Sequence, residues 1–84
     1  MEKVFYYLPY TIYADNKRHL ITVPYTLEDL HDAAEFLEIN RCWYHSTPYP
    51  HYDIPKRRVD EILNHDNVTV VSSKELLKII KENL

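Results

Sequence analysis

The 84-residue chain contains no glycine. Phosphate-binding loops and dinucleotide-binding fingerprints need glycine, because the backbone there adopts positive φ or approaches the ligand closely. Both classes of nucleotide site are therefore excluded. Turns have to rely on asparagine, aspartate and proline instead, as in the stretches Asp15-Asn16, Asn64–Asn67 and Pro48–Pro50.

Cysteine is also scarce, since Cys42 is the only one in the chain. A single cysteine excludes an intrachain disulfide and every zinc motif that is built on cysteine pairs. Such usage is typical of proteins in reducing compartments. We therefore expect a cytoplasmic location.

The chain lacks long apolar runs and any excess of positive charge. No stretch approaches the ~20 apolar residues of a membrane span, so we expect a soluble protein with no membrane partner. The net charge of −3 and the pI near 5.9 do not favour nucleic acid as a partner. The cations cluster at Lys17-Arg18 and at Lys56-Arg57-Arg58, which suits a small anionic ligand or an acidic patch on a partner protein.

Apolar periodicity and turn residues predict a single α/β domain over residues 1–84, with a three- or four-stranded mixed sheet, an N-terminal β-hairpin and three helices. Thr26, Asp53 and Ser72 are predicted to cap the three helices. Val68–Val71 is predicted to be a central, parallel strand. The other predicted strands are Lys3–Leu8 with its continuation Thr11–Ala14, then His19–Val23 and Cys42–Tyr44.

The segment Arg41–Arg58 is the most informative part of the chain. It contains a tryptophan, three tyrosines, two histidines, an aspartate and four cations, and three prolines disrupt regular structure within it. A loop that is this rich in large amphipathic and ionisable side chains indicates a binding surface. If Cys42–Tyr44 is a strand, the segment follows its carboxyl end, where ligands of α/β sheets usually bind.

A metal site is one interpretation of this segment. Residues two apart in extended chain point the same way, so His51 and Asp53 could converge on one ion. His45 is a candidate third ligand, together with His19 or Asp15 from the hairpin. Imidazole and carboxylate together suit zinc, iron or manganese. The alternative is that Asp53 caps a helix and that His51 lies in solvent.

An anion site is a second interpretation. Lys56 and Arg57 lie at the predicted start of the second helix, where backbone N–H groups and guanidinium forks both bind phosphate. Trp43 and Tyr52 are candidates to stack on a base or ring, and Arg41 is a further candidate for ligand binding. The alternative is a solvated basic helix face that pairs with Asp60 and Glu61.

General acid–base catalysis is a third interpretation, which overlaps the other two. His45, His51 and Asp53 are the candidate catalytic residues, because a carboxylate can orient an imidazole and fix its tautomer. Their proximity in sequence leaves the geometry open, and the chain offers no recognisable serine–histidine–aspartate order.

The chain resembles the short bacterial and phage proteins that are grouped as domain of unknown function 4031. The similarity runs from about Ile12 to Ser73 and rests on blocks that the family shares. Glu38 stands where a glycine-like helix end is usual in the family. The resemblance implies a bacterial or phage protein, located in the host cytoplasm if a phage encodes it, and it supplies no activity. The shared blocks are Ile12–Asp15, His19-Leu20, Thr26 through Leu30-His31 and Ala34, Trp43-Tyr44, His51-Tyr52-Asp53 and Lys56-Arg57.

Two functional hypotheses follow. The first is that the protein binds, and in its stronger form hydrolyses, a phosphorylated or nucleotide-like small ligand. The second is that it is a non-enzymatic protein-interaction module, such as a phage inhibitor of a host protein. Its partner could also be a second copy of the chain in a homodimer. A concave pocket joining Asp15, His19, His51, Asp53 and Arg57 would favour the first hypothesis. A flat face of Tyr6, Tyr10, Trp43 and Tyr49 would favour the second.

Overall fold

The computed structural model describes residues 5–84. Within them the chain forms five strands, three α-helices and two short 3-10 turns. The strands are β1 (Thr11–Ala14), β2 (His19–Val23), β3 (Tyr44–His45), β4 (His51–Asp53) and β5 (Val68–Val70). The helices are α1 (Leu27–Phe36), α2 (Val59–Leu63) and α3 (Ser73–Glu82), and the 3-10 turns are Arg41–Trp43 and Lys56–Arg58.

The strands form one mixed sheet in the order β3-β4-β2-β1-β5. β1 and β2 make the predicted antiparallel hairpin, and β5 runs parallel to β1 as predicted. The sheet has five strands where three or four were predicted, because the proline-rich segment adds β4. The strand predicted at Cys42–Tyr44 is instead the 3-10 turn Arg41–Trp43 followed by β3. β5 lies at an edge of the sheet, so the prediction of a central position for it was wrong.

The predicted first strand is not a strand in its described part, since residues 5–8 are irregular. The prediction's first residues, Lys3 and Val4, lie outside the described residues. The Asn67 side chain satisfies the Tyr6 backbone instead: Tyr6 N–H donates to Asn67 Oδ1 at 2.9 Å, and Asn67 Nδ2 donates to Tyr6 O at 2.6 Å. A side-chain amide that occupies both backbone groups replaces a strand partner.

The two faces of the sheet carry separate apolar clusters. α1 and α2 pack on one face, with Leu30 and Ile62 among the buried residues there. α3 packs on the other face through Leu76 and Ile80, which meet Ile21 of β2. Side chains alternate between the faces along each strand, so the residue parity in β2, β3 and β4 decides which polar groups lie under α3.

Two of the three predicted helix caps are confirmed. Thr26 Oγ1 accepts a hydrogen bond from Asp29 N–H, and Ser72 Oγ accepts one from Glu75 N–H, both at 3.1 Å. The prediction for Asp53 was wrong, because Asp53 is the last residue of β4. Pro55 precedes the 3-10 turn at Lys56 without a side-chain cap. Asp53 is therefore available to the side chains of neighbouring strands.

Two residues adopt the left-handed backbone conformation that glycine usually supplies. Arg18 has φ of 71° in the β1–β2 turn, and Glu38 has φ of 58° just after α1. Asp15 stabilises the turn at Arg18 by accepting hydrogen bonds from the backbone N–H groups of Lys17 and His19. The chain thus makes its tight turns without glycine at some cost in backbone energy.

Candidate functional site

Strand register brings three histidines and Asp53 together on the face under α3. His19 of β2 lies directly opposite Asp53 of β4. His45 of β3 lies directly opposite His51 of β4. These four residues and Asp15, which follows β1, are called the His–Asp cluster below. Tyr52, between His51 and Asp53, points to the opposite face and belongs to the main core.

Asp15 is the buried anchor of the His–Asp cluster. Its side chain is 1% exposed, and its Oδ2 lies 3.0 Å from His19 Nδ1. Burial by itself raises the pKa of the Asp15 carboxyl, but the hydrogen bonds from the His19 backbone and side chain outweigh burial, and the pKa lies below its ordinary value. Ionised Asp15 therefore holds His19 by a charge-assisted hydrogen bond.

Asp53 contacts two imidazoles at once. Its Oδ2 lies 2.9 Å from His45 Nε2, and its Oδ1 lies 3.3 Å from His51 Nε2. The rings of His45 and His51 are stacked with their centroids 5.5 Å apart. His51 Nδ1 lies 2.7 Å from the carbonyl oxygen of Tyr49. Hydrogen-bond partners and ring stacking therefore orient both imidazoles.

A pocket with a volume of about 190 Å³ opens beside the His–Asp cluster. Asp15, His19 and His51 form its polar side. The opposite wall is the face of α3 defined by residues 73, 76, 77 and 80, whose spacing places them on one side of a helix. Pro48 and Tyr49, in the loop between β3 and β4, close the pocket.

Ser73 is the unexpected polar group in this pocket. Its Oγ is buried and has no hydrogen-bond partner among residues 5–84. It lies near enough to Asp15 to contribute to the lowering of that carboxyl's pKa, although it makes no full hydrogen bond among the described residues. Buried hydroxyls are normally satisfied, so Ser73 is a polar group of the pocket wall that the fold leaves incompletely paired.

His19, His51 and Asp53 are close enough together to hold one metal ion. Each offers one ligand atom, and the three atoms lie within 4.8 Å of one another. The side chains are neither fully buried nor fully exposed, so an ion there would be reached from the pocket mouth. Two imidazoles and one carboxylate make a donor set that suits first-row transition metals.

The predicted phosphate-binding cations lie elsewhere. Trp43, Lys56 and Arg57 line an open groove of about 420 Å³ together with Glu38 and Arg58. Arg58 is occupied, because it donates to the Leu37 and Glu38 carbonyl oxygens and to the Glu61 carboxylate. Within residues 5–84 the groove and the pocket share no lining residue, so the single site predicted from the Arg41–Arg58 segment is divided between two surfaces.

Arg41 and Tyr52 line a third depression, with His31 between them. Tyr52 is 1% exposed, so its ring is not available to stack on a ligand, and the stacking role predicted for it was wrong. Its hydroxyl lies 2.6 Å from His31 Nδ1. Burial, and to a smaller extent the nearby charge of Arg41, lower the pKa of His31. This histidine therefore acts as a neutral hydrogen-bond partner of Tyr52 at the edge of the core.

The predicted aromatic face is not present as a surface. Tyr10 is 7% exposed and donates its hydroxyl to Asp32 Oδ2 at 2.6 Å. Trp43 packs partly buried against the main core, whereas Tyr49 packs against the cluster under α3. Burial of Tyr10 removes the centre of the predicted face.

Comparison with known families identifies the family of the chain. It matches the family described as "Protein of unknown function (DUF4031)" over residues 12–83, so the chain belongs to that family. Neither a curated protein nor a solved structure matches the chain. Among the described helices, none has the length and apolar character needed to cross a membrane.

Proposed function

We propose that this member of the DUF4031 family binds a small phosphorylated ligand at the pocket beside the His–Asp cluster. One observation supports the proposal most strongly. Asp15, His19 and His51 line a pocket whose other wall is apolar, and Asp53 and His45 contact His51 from beside it. Convergent polar groups at the opening of an apolar pocket are the usual form of a small-molecule site.

The size of the pocket favours a ligand with a compact apolar part. A volume of about 190 Å³ is below the roughly 300–1,000 Å³ of typical ligand pockets. A small ring or short chain therefore fits against Leu76, Leu77 and Ile80, while a polar head stays near the histidines. The separate position of Trp43, Lys56 and Arg57 supports a small phosphate ester better than a whole nucleotide.

The polar head would meet donors and acceptors that the fold leaves unused. Ser73 Oγ is a buried hydroxyl without a partner in the described chain, and it suits a phosphoryl oxygen as acceptor. The charge of the site is less favourable, since Asp15 lines the pocket and Asp53 lies against His51, which also lines it. An anionic head there needs a compensating cation, and no arginine or lysine lines this pocket within the part of the chain that is described.

Hydrolysis of the bound ester is the stronger form of the proposal. In that reaction the oxygen of water bonds to phosphorus, the bond from phosphorus to the leaving oxygen breaks, and the water's proton passes to the leaving oxygen. His51 lines the pocket and contacts Asp53, which His45 supports, so in this proposal these groups relay the proton.

Titration with phenyl phosphate tests the proposal, because this compound joins a phosphate head to one small ring. We expect it to bind more tightly than inorganic phosphate, since the ring buries apolar surface. At 100 times the dissociation constant it should stabilise the fold by about 2.7 kcal/mol, which raises the melting temperature by several degrees. Binding should be measured with and without a divalent metal, and phenol release should be followed in the same samples.

The variant His51→Ala should lose phenyl phosphate binding and keep its melting temperature within a few degrees. His65→Ala is the matched control, because His65 lies outside the His–Asp cluster and should leave binding unchanged. A folded wild-type protein that binds neither phenyl phosphate nor inorganic phosphate, with metal present, would contradict the proposal.

A protein-interaction function is the second candidate, and one observation favours it. Phe5 and Tyr7 are 57% and 96% exposed, and their rings meet edge to face. The intervening Tyr6 is held by Asn67, so these two rings have a fixed base. Large exposed aromatic side chains are typical of interaction surfaces. A silent ligand titration would shift the proposal to this surface.

A further inference from the structure

We propose that His19, His51 and Asp53 bind one divalent transition-metal ion, which is the cation that the proposed phosphate site needs. This inference rests on the same pocket as the proposed function. The three ligand atoms lie within 4.8 Å of one another. Atoms that lie about 2.1 Å from a tetrahedral or octahedral ion are about 3–4 Å apart, so small side-chain rotations bring all three into range.

His19 is prepared for metal binding by its other ring nitrogen. Asp15 Oδ1 accepts hydrogen bonds from the backbone N–H groups of Lys17 and His19, and its Oδ2 lies 3.0 Å from His19 Nδ1. A carboxylate oxygen therefore accepts from Nδ1, and His19 Nδ1 carries the proton. The other nitrogen, Nε2, is therefore left with its lone pair. A metal-binding histidine almost always donates its second N–H to a carboxylate, a carbonyl or water. The Asp15–His19 pair has that arrangement.

His51 has the same preparation from a different partner. Its Nδ1 lies 2.7 Å from Tyr49 O, and a carbonyl oxygen only accepts, so Nδ1 carries the proton and Nε2 is bare. The bare Nε2 lies 3.3 Å from Asp53 Oδ1. Two acceptors at that distance repel each other. A proton or a metal ion on Nε2 relieves the repulsion, and the convergence of His19 on the same place favours the ion.

Asp53 completes the set, and it is also held by a neighbour. His45 Nε2 lies 2.9 Å from Asp53 Oδ2, which leaves Oδ1 as the oxygen that faces His51. All three proposed ligands thus have a supporting partner: Asp15 for His19, the Tyr49 carbonyl for His51, and His45 for Asp53.

The metal changes the roles that the sequence predicts for the cluster. His51 and Asp53 act as ligands in this arrangement, and Asp15 and His45 are positioning residues. A set of two histidines and one carboxylate leaves coordination positions open. Those positions face the pocket, because His19 and His51 both line it, so a phosphoryl oxygen or a water molecule can occupy them.

Calorimetric titration with Zn²⁺ tests the inference, with Co²⁺ absorption as a second readout of the ligand set. We expect one equivalent to bind. His19→Gln and His51→Gln each remove a ligand and should weaken binding more than the roughly 10- to 100-fold that loss of a supporting partner costs. Asp15→Asn should fall within that range, while the matched control His65→Gln should bind like the wild type.

Histidine tautomers provide a readout that a purely structural role of Asp15 would not move. Ring-nitrogen NMR of the metal-free protein should find the proton on Nδ1 in both His19 and His51. In Asp15→Asn the proton of His19 should move to Nε2, because the amide NH₂ can turn toward Nδ1, while His51 stays unchanged. If Asp15→Asn does not fold, the two glutamine variants still decide the ligand set.

Wild-type affinity that survives both glutamine substitutions would overturn the metal site, as would a folded protein that binds no Zn²⁺. The proposed function can fail separately. If the protein binds Zn²⁺ but not phenyl phosphate, the metal site stands and the proposed phosphate-binding function is wrong. If EDTA does not change phenyl phosphate binding, the proposed function stands and the inference that the site needs a metal ion is wrong.

Discussion

On the face of the sheet that α1 and α2 cover, thirteen described residues are buried in one cluster, whereas the face under α3 buries three in its own cluster. The difference follows from the strands, because Ile12, Leu20 and Tyr52 all point to the first face. The second face receives the histidines and carboxylates of the same strands. The first face therefore contributes most of the buried apolar packing, and the second face has so little that a pocket remains beside it.

The polar groups on the two faces differ in the same way. On the main-core face Tyr10 donates to Asp32 and Tyr52 meets His31, so each group is used within the fold. On the face under α3, Ser73 Oγ has no partner in the described residues and His51 Nε2 faces a carboxylate. Polar groups that the fold does not use are candidates for use by a ligand.

The largest difference between the faces should be seen in core truncations. Leu30→Ala, on α1, removes a side chain that is 1% exposed and should cost about 3 kcal/mol of unfolding free energy. Leu77→Ala, on α3, removes a half-exposed pocket residue and should cost less than about 1 kcal/mol while weakening phenyl phosphate binding. Urea unfolding measures both, and equal costs would show that the faces contribute equally to stability.

The Tyr10 hydroxyl sharpens the comparison on the main-core face. Burial, and next the hydrogen bond to Asp32, raise the pKa of Tyr10 above its ordinary value. A raised pKa adds stability that is fully present below the unfolded-state value near 10 and is lost as the pH rises above it. Between pH 10 and pH 11 the stability advantage of wild type over Tyr10→Phe should shrink by about 1 kcal/mol.

Urea unfolding of the wild type and Tyr10→Phe, at pH 10 and at pH 11, measures this change. Tyr10→Phe is the control for the wild type, because the two proteins share every other tyrosine and lysine. An advantage that stays constant with pH would mean that Tyr10 ionises as easily in the fold as in the unfolded chain.

The smallest effect should come from the two left-handed residues, one near each face. Glu38→Gly, after α1, and Arg18→Gly, in the turn held by Asp15, should each add about 0.5 kcal/mol, since glycine relieves the left-handed backbone energy but costs more chain entropy. Lys78→Gly, in the exposed interior of α3, is the control and should lose about 1 kcal/mol. A loss at position 18 but not at 38 would mean that the Arg18 side chain supports the site.

The elements with strong local signals could be predicted from the sequence. The apolar spacing of α1 and α3 and their caps, Thr26 and Ser72, are local patterns, and so is the hairpin around Asp15-Asn16. β4 could not be found in this way, because it is three residues long and stands between prolines. Strand pairing stabilises it, and pairing depends on residues far away in the sequence.

The polar set of the candidate site was predictable, but its geometry was not. The spacing of His51 and Asp53 places both on one face of an extended chain, and the structure has them so. The register that puts His19 opposite Asp53 comes from long-range pairing. Ser73 and the α3 wall were missed, since the sequence offers only a capping box and a helical apolar face there. Tyr52 was wrongly predicted to stack on a ligand, because its side chain points to the opposite face of β4 from His51 and Asp53 and lies in the main core.

The most direct test of the account is a map of backbone amide shifts while phenyl phosphate is titrated into the protein with one equivalent of Zn²⁺. We expect the changes to concentrate at Asp15–His19, Tyr49–Asp53 and Ser73–Leu77, which surround the pocket. Changes confined to Trp43 and Lys56–Arg58 would place the anion in the basic groove and contradict the account.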